Sequence, residues 1–193
     1  MTDTLETVDD VALAEQGIRA LLRIMDPEPD RESLTRTPTR VLRTMLEFVA
    51  QPDAEVAELL RTRFDEQCDE IVLVGPIRFI SLCEHHLLPF VGTGHIGYIP
   101  TDGKVVGLSK LPRLLDHFAR RPQMQERLTR QVADAFETHV SPLGVGVVLR
   151  AQHSCMTLRG ARKQEAEMVT SAMRGVFRSK PEARAELMSL VSL

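Results

Sequence analysis

The chain has 193 residues, 43% of them apolar and 26% charged, with a formal net charge of -3. That length supports a buried core without disulfide help, and the charge balance excludes a whole-protein electrostatic case for nucleic-acid binding. No apolar run approaches the roughly 20 residues of a membrane span, and the acidic opening MTDTLETVDD lacks the basic and apolar regions of a secretory signal, so a cytoplasmic protein is expected.

In chain order, Val11, Ala14, Ile18, Leu21 and Met25 recur at spacings of three and four, one apolar face of a helix. The two prolines of DPEPDRES interrupt it. Thr37 followed by Pro38 reads as an N-cap with proline in the first turn, opening a second helix with Val41, Met45 and Val49 on its apolar face. A shorter helix over about 54–64 is expected to close an N-terminal helical region, 1–66, ahead of a domain at 67–193. From residue 70 the rhythm changes: EIVLVGPIRFISLC, FVGTGHIGYIP, LGVGVVLRAQHSCMTL and MVTSAMRGVF are rich in β-branched residues or alternate, and read as strands. Between the second and third, one helix opens at Ser109 and buries Leu111, Leu114, Leu115 and Phe118. Another follows Pro122 and carries Met124, Leu128, Val132 and Phe136 at every fourth position. Two hairpins joined by a helix pair predict an α+β fold, an antiparallel sheet with helices on one face.

Three cysteines in a reducing compartment point to metal or thiol chemistry rather than a disulfide framework. Cys68, among the carboxylates of DEQCDE, reads as a bystander. In SLCEHHLLPF, Cys83 and His86 are three apart, a spacing at which a turn brings two side chains onto one metal; a buried thiol beside a turn histidine is the alternative. In VLRAQHSCMT, Leu149, Ala151, His153 and Cys155 share parity, so on this strand His153 and Cys155 project from one face. A Cys, His, Cys set with an open fourth position is how catalytic zinc is usually built, and thiolate with imidazole favours zinc over magnesium or calcium. His85 and His153 suit proton shuttling. The strings H-E-x-x-H and P-C-x-x-C are absent. Gly92, Gly94 and Gly97 spell G-x-G-x-x-G, but YIP follows where a dinucleotide site needs a helix, so these read as strand glycines permitting close backbone approach. Lys110 and Arg113, in the first turn of the helix capped by Ser109, could serve an anion together with Arg159 or be a solvated charged face. Glu126, off the apolar stripe, is a surface carboxylate or an acceptor for a guanine edge.

With these residues in hand, the chain resembles GTP cyclohydrolase I. The strings that carry the likeness are SLCEHHLLPF, GHIGYIP, VVGLSKLPRLLDHFARRPQMQERLTRQVADA, HSCMTLRG and TSAMRGVF, in order from about residue 35 to the C-terminus. The resemblance implies zinc ligands at Cys83, His86 and Cys155 and proton-transfer histidines at His85 and His153. It places the guanine-reading carboxylate at Glu126 with Gln125 beside it. Triphosphate contacts fall on Ser109, Lys110, Arg113 and Arg159, with Arg40 offered from a neighbouring subunit. It further implies a tunnelling fold, an antiparallel four-stranded sheet with two helices on one face, assembled as a homodecamer of two pentamers with sites built across subunits. The implied reaction is zinc-dependent hydrolysis of GTP at guanine C8, with formate release and rearrangement to 7,8-dihydroneopterin triphosphate. One departure is the loop from Gln164 through Glu165, Ala166 and Glu167 to Met168, where the family places small hydroxyl residues; two added negative charges would shift substrate preference or merely face solvent. A related cyclohydrolase acting on another purine triphosphate, or a non-catalytic zinc-stabilised oligomer, are the competing functions; the retained His85 and His153 argue against the second. Glu84 has no role in this reading beyond stabilising the turn or supporting a ligand.

Overall fold

The structure, a computed structural model, describes residues 8–50 and 55–192. Its helices are α1 (Val8–Met25), α2 (Thr37–Val49), α3 (Val56–Leu59), α4 (Lys110–Ala119), α5 (Gln125–Val140), α6 (Ser154–Thr157), α7 (Val176–Ser179) and α8 (Pro181–Val191). Its strands are β1 (Arg63–Asp65), β2 (Val72–Cys83), β3 (Pro89–Ile99), β4 (Lys104–Val106), β5 (Pro122–Gln123), β6 (Gly144–His153) and β7 (Met168–Gly175). Contacts divide the chain into two units between Val49 and Ala50.

In the first unit α1 packs on α2. Of the expected α1 stripe, Ala14 and Ile18 are half-buried, while Val11, Leu21 and Met25 stay exposed. Thr37 is the first residue of α2, and Pro38 behind it is the buried one. Proline suits that turn because the amide it lacks has no intrahelical partner there.

The second unit is built on a five-stranded sheet in the order β5-β2-β3-β6-β7. The four long strands pair antiparallel, as expected for the α+β fold. The two residues of β5 add a parallel edge beside Leu82 and Cys83. Alternation sorts the side chains: Ile77, Phe79, Phe90, Ile96, Tyr98, Val145, Val147 and Leu149 point to one face and form a single core with Leu111, Leu114 and Leu115 of α4 and Leu128, Val132 and Phe136 of α5. Phe118 only packs against that core, and Met124 precedes α5 in extended backbone.

Two local expectations change. The helix expected over 54–64 is the single turn α3, with Ala54 outside the described residues. Leu59 and Leu60 are both buried, two successive anchors that turn the chain inward, and residues 63–65 leave as β1 to pair with β4. Ser109 occupies the N-cap position of α4 but its hydroxyl makes no capping bond; the Lys110 amide instead donates to the Gly107 carbonyl. The two helices α4 and α5 pack on one face of the sheet as expected, and α8 adds a helix on the reverse face. Leu187 of α8 joins Val148, Met173 and Phe177 in a smaller cluster on the reverse face. Gly97 and Gly146 are register partners there, and a Cβ at either would overlap Leu187, so the glycine pair forms the slot that admits α8. Gly97 thus admits a side chain, while the close backbone approach expected of these strand glycines is seen at Gly92, where a Cβ would overlap the Arg150 carbonyl.

Candidate functional site

The β2–β3 hairpin turns through Glu84, His85 and His86. The Cys83 carbonyl accepts from both the His86 and Leu87 amides, at 3.2 and 2.8 Å, and the Cys83 amide donates to the Leu88 carbonyl at 2.8 Å. Closing the loop this tightly puts Leu87 at φ 53, in the left-handed region. The result is a buried Cys83 at the strand end with His85 and His86 exposed beyond it.

Cys155 arrives differently from the sequence reading. β6 ends at His153 and the chain enters α6, so Cys155 sits on a helical turn rather than two places along a strand. Shared strand parity therefore does not bring it to the site; the turn does. Its Sγ lies 3.8 Å from the Sγ of Cys83. Two thiolates about 2.3 Å from one tetrahedral zinc stand about 3.8 Å apart, so the pair fits such an ion. Burial and the hydrogen bond to Cys83 push the Cys155 thiol up, so a metal must displace its proton on binding. Cys68 is a free thiol near the Glu70 carbonyl and takes no part.

Of the histidines, His153 is the one whose ring nitrogen lies within 4.8 Å of both thiols. The His85 Nδ1 is 3.8 Å from the Cys83 sulfur. His86 is not part of that group; its Nε2 lies 2.8 Å from Nη1 of Arg159. A guanidinium only donates, so that Nε2 is unprotonated and holds a lone pair.

His153 is the most firmly held of these rings. It is stacked on Phe90, its register partner on β3, with centroids 4.4 Å apart and planes 4° from parallel. Its Nε2 is 2.9 Å from Oε1 of Gln125. Gln125 is fully buried, and its Nε2 is surrounded by the carbonyls of Leu149 and Met168 and the hydroxyl of Thr170, at 3.2, 3.0 and 3.1 Å. Those carbonyls can only accept, which fixes the amide orientation and makes Oε1 the acceptor; His153 therefore carries its proton on Nε2 and leaves Nδ1 as the base. Burial also lowers the His153 pKa, against the pull of Glu126, and so favours the neutral ring. Replacing Gln125 with leucine would remove the donor that the two carbonyls and the Thr170 hydroxyl share and leave the His153 ring without its acceptor, while Thr170 keeps its bond to Thr129. We expect a loss of about 2 to 3 kcal/mol in urea unfolding, with slower turnover; an unchanged midpoint would contradict this network.

Glu126 follows Gln125 in the first turn of α5, exposed and without an ion pair among the described residues. Arg159 meets the site through His86. Ser109, Lys110 and Arg113 begin α4, whose other end is the one near the thiols: the Ala119 carbonyl accepts from the Ser81 hydroxyl at 2.6 Å, two residues before Cys83. Nine residues of helix at 1.5 Å each put Lys110 roughly 13 Å up the axis from that end. Arg40 belongs to α2 in the first unit, where it lines a surface depression with Glu32, Thr35 and Arg36. In the unusual loop, Glu167 pairs with Arg150 at 3.2 Å and Glu165 is exposed. The sequence reading gave no role to Phe90, Thr170 or Arg127, the partner of Glu84; all three lie within the quoted strings, but their partners are distant in sequence.

Residues 14–192 match the family described as GTP cyclohydrolase I. The chain is 46% identical over 178 residues to GTP cyclohydrolase 1 of Thermoanaerobacter pseudethanolicus, covering 92% of this chain and 95% of that one. It is 52% identical over 179 residues to GTP cyclohydrolase 1 of Streptomyces avermitilis, covering 92% and 89% of the two chains. A likeness to the archaeosine synthase QueF-like protein in its apo form has a TM-score of 0.43 at 18% identity, covering 55% of this chain and 92% of that one.

Proposed function

This chain belongs to the GTP cyclohydrolase I family, and from that premise we propose how its residues divide the chemistry. The activity is hydrolysis of GTP at guanine C8, with formate release and closure to 7,8-dihydroneopterin triphosphate. Cys83, His86 and Cys155 hold a zinc ion. The observation that carries this reading is the pair of thiols 3.8 Å apart, the separation of two ligands on one tetrahedral ion. Bound zinc supplies the Lewis acidity that makes water a nucleophile at neutral pH.

Distance alone would select His153 as the third ligand, since it lies nearer the thiols than His86 does. We assign His86 instead, because the family resemblance carries its ligand onto the C-x-x-H histidine; the Nε2 lone pair that accepts from Arg159 must be released for it to bind a metal. His153, anchored through Gln125 and stacked on Phe90, is then a fixed, neutral proton carrier beside the metal.

The other roles follow from position and chemistry. Glu126 accepts hydrogen bonds from the guanine edge, with its exposed carboxylate in support. His85 assists proton transfer at guanine N7, and His153 serves as acid and base while the ribose rearranges. Gln125 acts on the reaction through the His153 ring. Ser109, Lys110, Arg113 and Arg159 hold the triphosphate, and Arg40 contributes from a neighbouring subunit. The roughly 13 Å of α4 between Lys110 and the thiol end supports sites completed across subunits, as in a homodecamer of two pentamers. Free thiols in the ligand set suit a reducing cytoplasm.

Metal removal tests the assignment. Dialysis against a chelator is expected to reduce formate release from GTP to background, and one equivalent of zinc per chain to restore it. Undiminished release from metal-free protein would overturn it.

A further inference from the structure

Glu84 and Arg127 lie 43 residues apart and no role above uses either. In the structure they form a two-pronged ion pair: Arg127 Nη1 donates to Glu84 Oε2 at 2.6 Å and Nη2 donates to Oε1 at 2.9 Å. A second tie runs alongside, with the Glu84 amide donating to the Gln123 carbonyl at 3.0 Å. Glu84 belongs to the turn that carries Cys83, His85 and His86. Arg127 belongs to the opening of α5, which carries Gln125 and Glu126. A planar guanidinium on both oxygens of a carboxylate fixes rotation as well as distance, which a single contact cannot do.

The Arg127 and Glu84 side chains are 37% and 29% exposed, so solvent screens the attraction and the pair adds little to stability. Its contribution is geometric. We propose that Glu84 and Arg127 are positioning residues that hold the metal-binding turn in register with the helix opening that reads guanine. The proposal rests on the division of roles given above. GTP anchored at Glu126 presents its imidazole carbon to the Cys83 turn, and the bridge is the side-chain link between those two segments. Arg127 holds α5 to the metal turn while Gln125, two residues earlier, holds it to His153. The opening turn of α5 is thus tied to both halves of the site.

Loss of register lowers turnover without weakening either anchor of the substrate. For Glu84→Gln and Arg127→Gln in the full chain, kcat for formate release is expected to fall about tenfold or more, with KM within about threefold of the parent and zinc retained at one per chain. The double variant should lose no more than either single one, because all three break the same bridge. Hydrogen exchange supplies a readout independent of turnover: the amides of His86 and Leu87, which donate to the Cys83 carbonyl, and of Leu128, which donates to the Met124 carbonyl, should exchange faster in every variant. Unchanged kcat and exchange in the single variants, losses that multiply in the double variant, or loss of zinc from Glu84→Gln would each overturn the proposal. If the parent protein releases no formate, the assignment of roles fails instead, and the exchange data alone decide whether the bridge orders the two segments.

Discussion

Replacing Cys155 with alanine is expected to remove zinc and formate release together, with turnover falling by more than the 10- to 100-fold typical when only a contact supporting a ligand is lost. The reason is the thiol pair. Cys83 and Cys155 come from strands and turns separated by 72 positions, yet their sulfurs stand 3.8 Å apart. With one sulfur gone, the remaining donors are imidazoles and a single thiol, and affinity drops because the metal loses an anionic ligand as well as a bond. Cys83→Ala should behave the same way. Cys68→Ala, remote from the pair, should leave zinc content and turnover at the parent level. Zinc content by atomic absorption and formate release on the same samples check all three. A Cys155→Ala protein that keeps its zinc would place the ion elsewhere.

The second large effect separates two histidines. His86→Ala is expected to lose zinc, whereas His153→Ala should keep it at about one per chain and lose turnover by roughly 100-fold or more, the scale of general acid-base catalysis. The contrast is sharp because geometry leans the other way: the His153 ring lies against the thiols and His86 faces Arg159. In His153→Ala the Gln125 Oε1 loses its donor, so some loss of stability accompanies the loss of turnover. His85→Ala should match His153→Ala in retaining zinc while losing turnover. Zinc lost from His153→Ala and retained in His86→Ala would exchange the two assignments.

The strands and the two core helices were legible because burial on one face imposes a period. Ile77 and Phe79, Val145, Val147 and Leu149, and Leu128, Val132 and Phe136 announce their faces by spacing alone. Where an element stops is less visible. Cys155 follows His153 with the right parity, but the strand ends there and a helical turn begins, which no count of alternation registers. Helix α8 escaped for the opposite reason, since Leu187 is its one fully buried residue and a single anchor makes no period. Pro181 in its first turn with Glu182 behind it was the signal that marked it.

In the site, the C-x-x-H string, the two cysteines and the flanking histidines stand out in the sequence by residue type and spacing. What holds them in place does not. The Gln125 amide between two carbonyls and His153, Phe90 under the same ring, and the Glu84–Arg127 bridge all join residues that only folding brings together. Glu167 shows the same limit: it stands out in the sequence as an extra negative charge, but the structure pairs it with Arg150.

The most direct test of the central claim follows the atoms of GTP. Zinc-loaded protein incubated with GTP should release one formate per GTP consumed and yield, after oxidation, a fluorescent pterin that retains all three phosphates. Protein carrying one zinc per chain that releases inorganic phosphate without formate, or that leaves GTP intact, would contradict it.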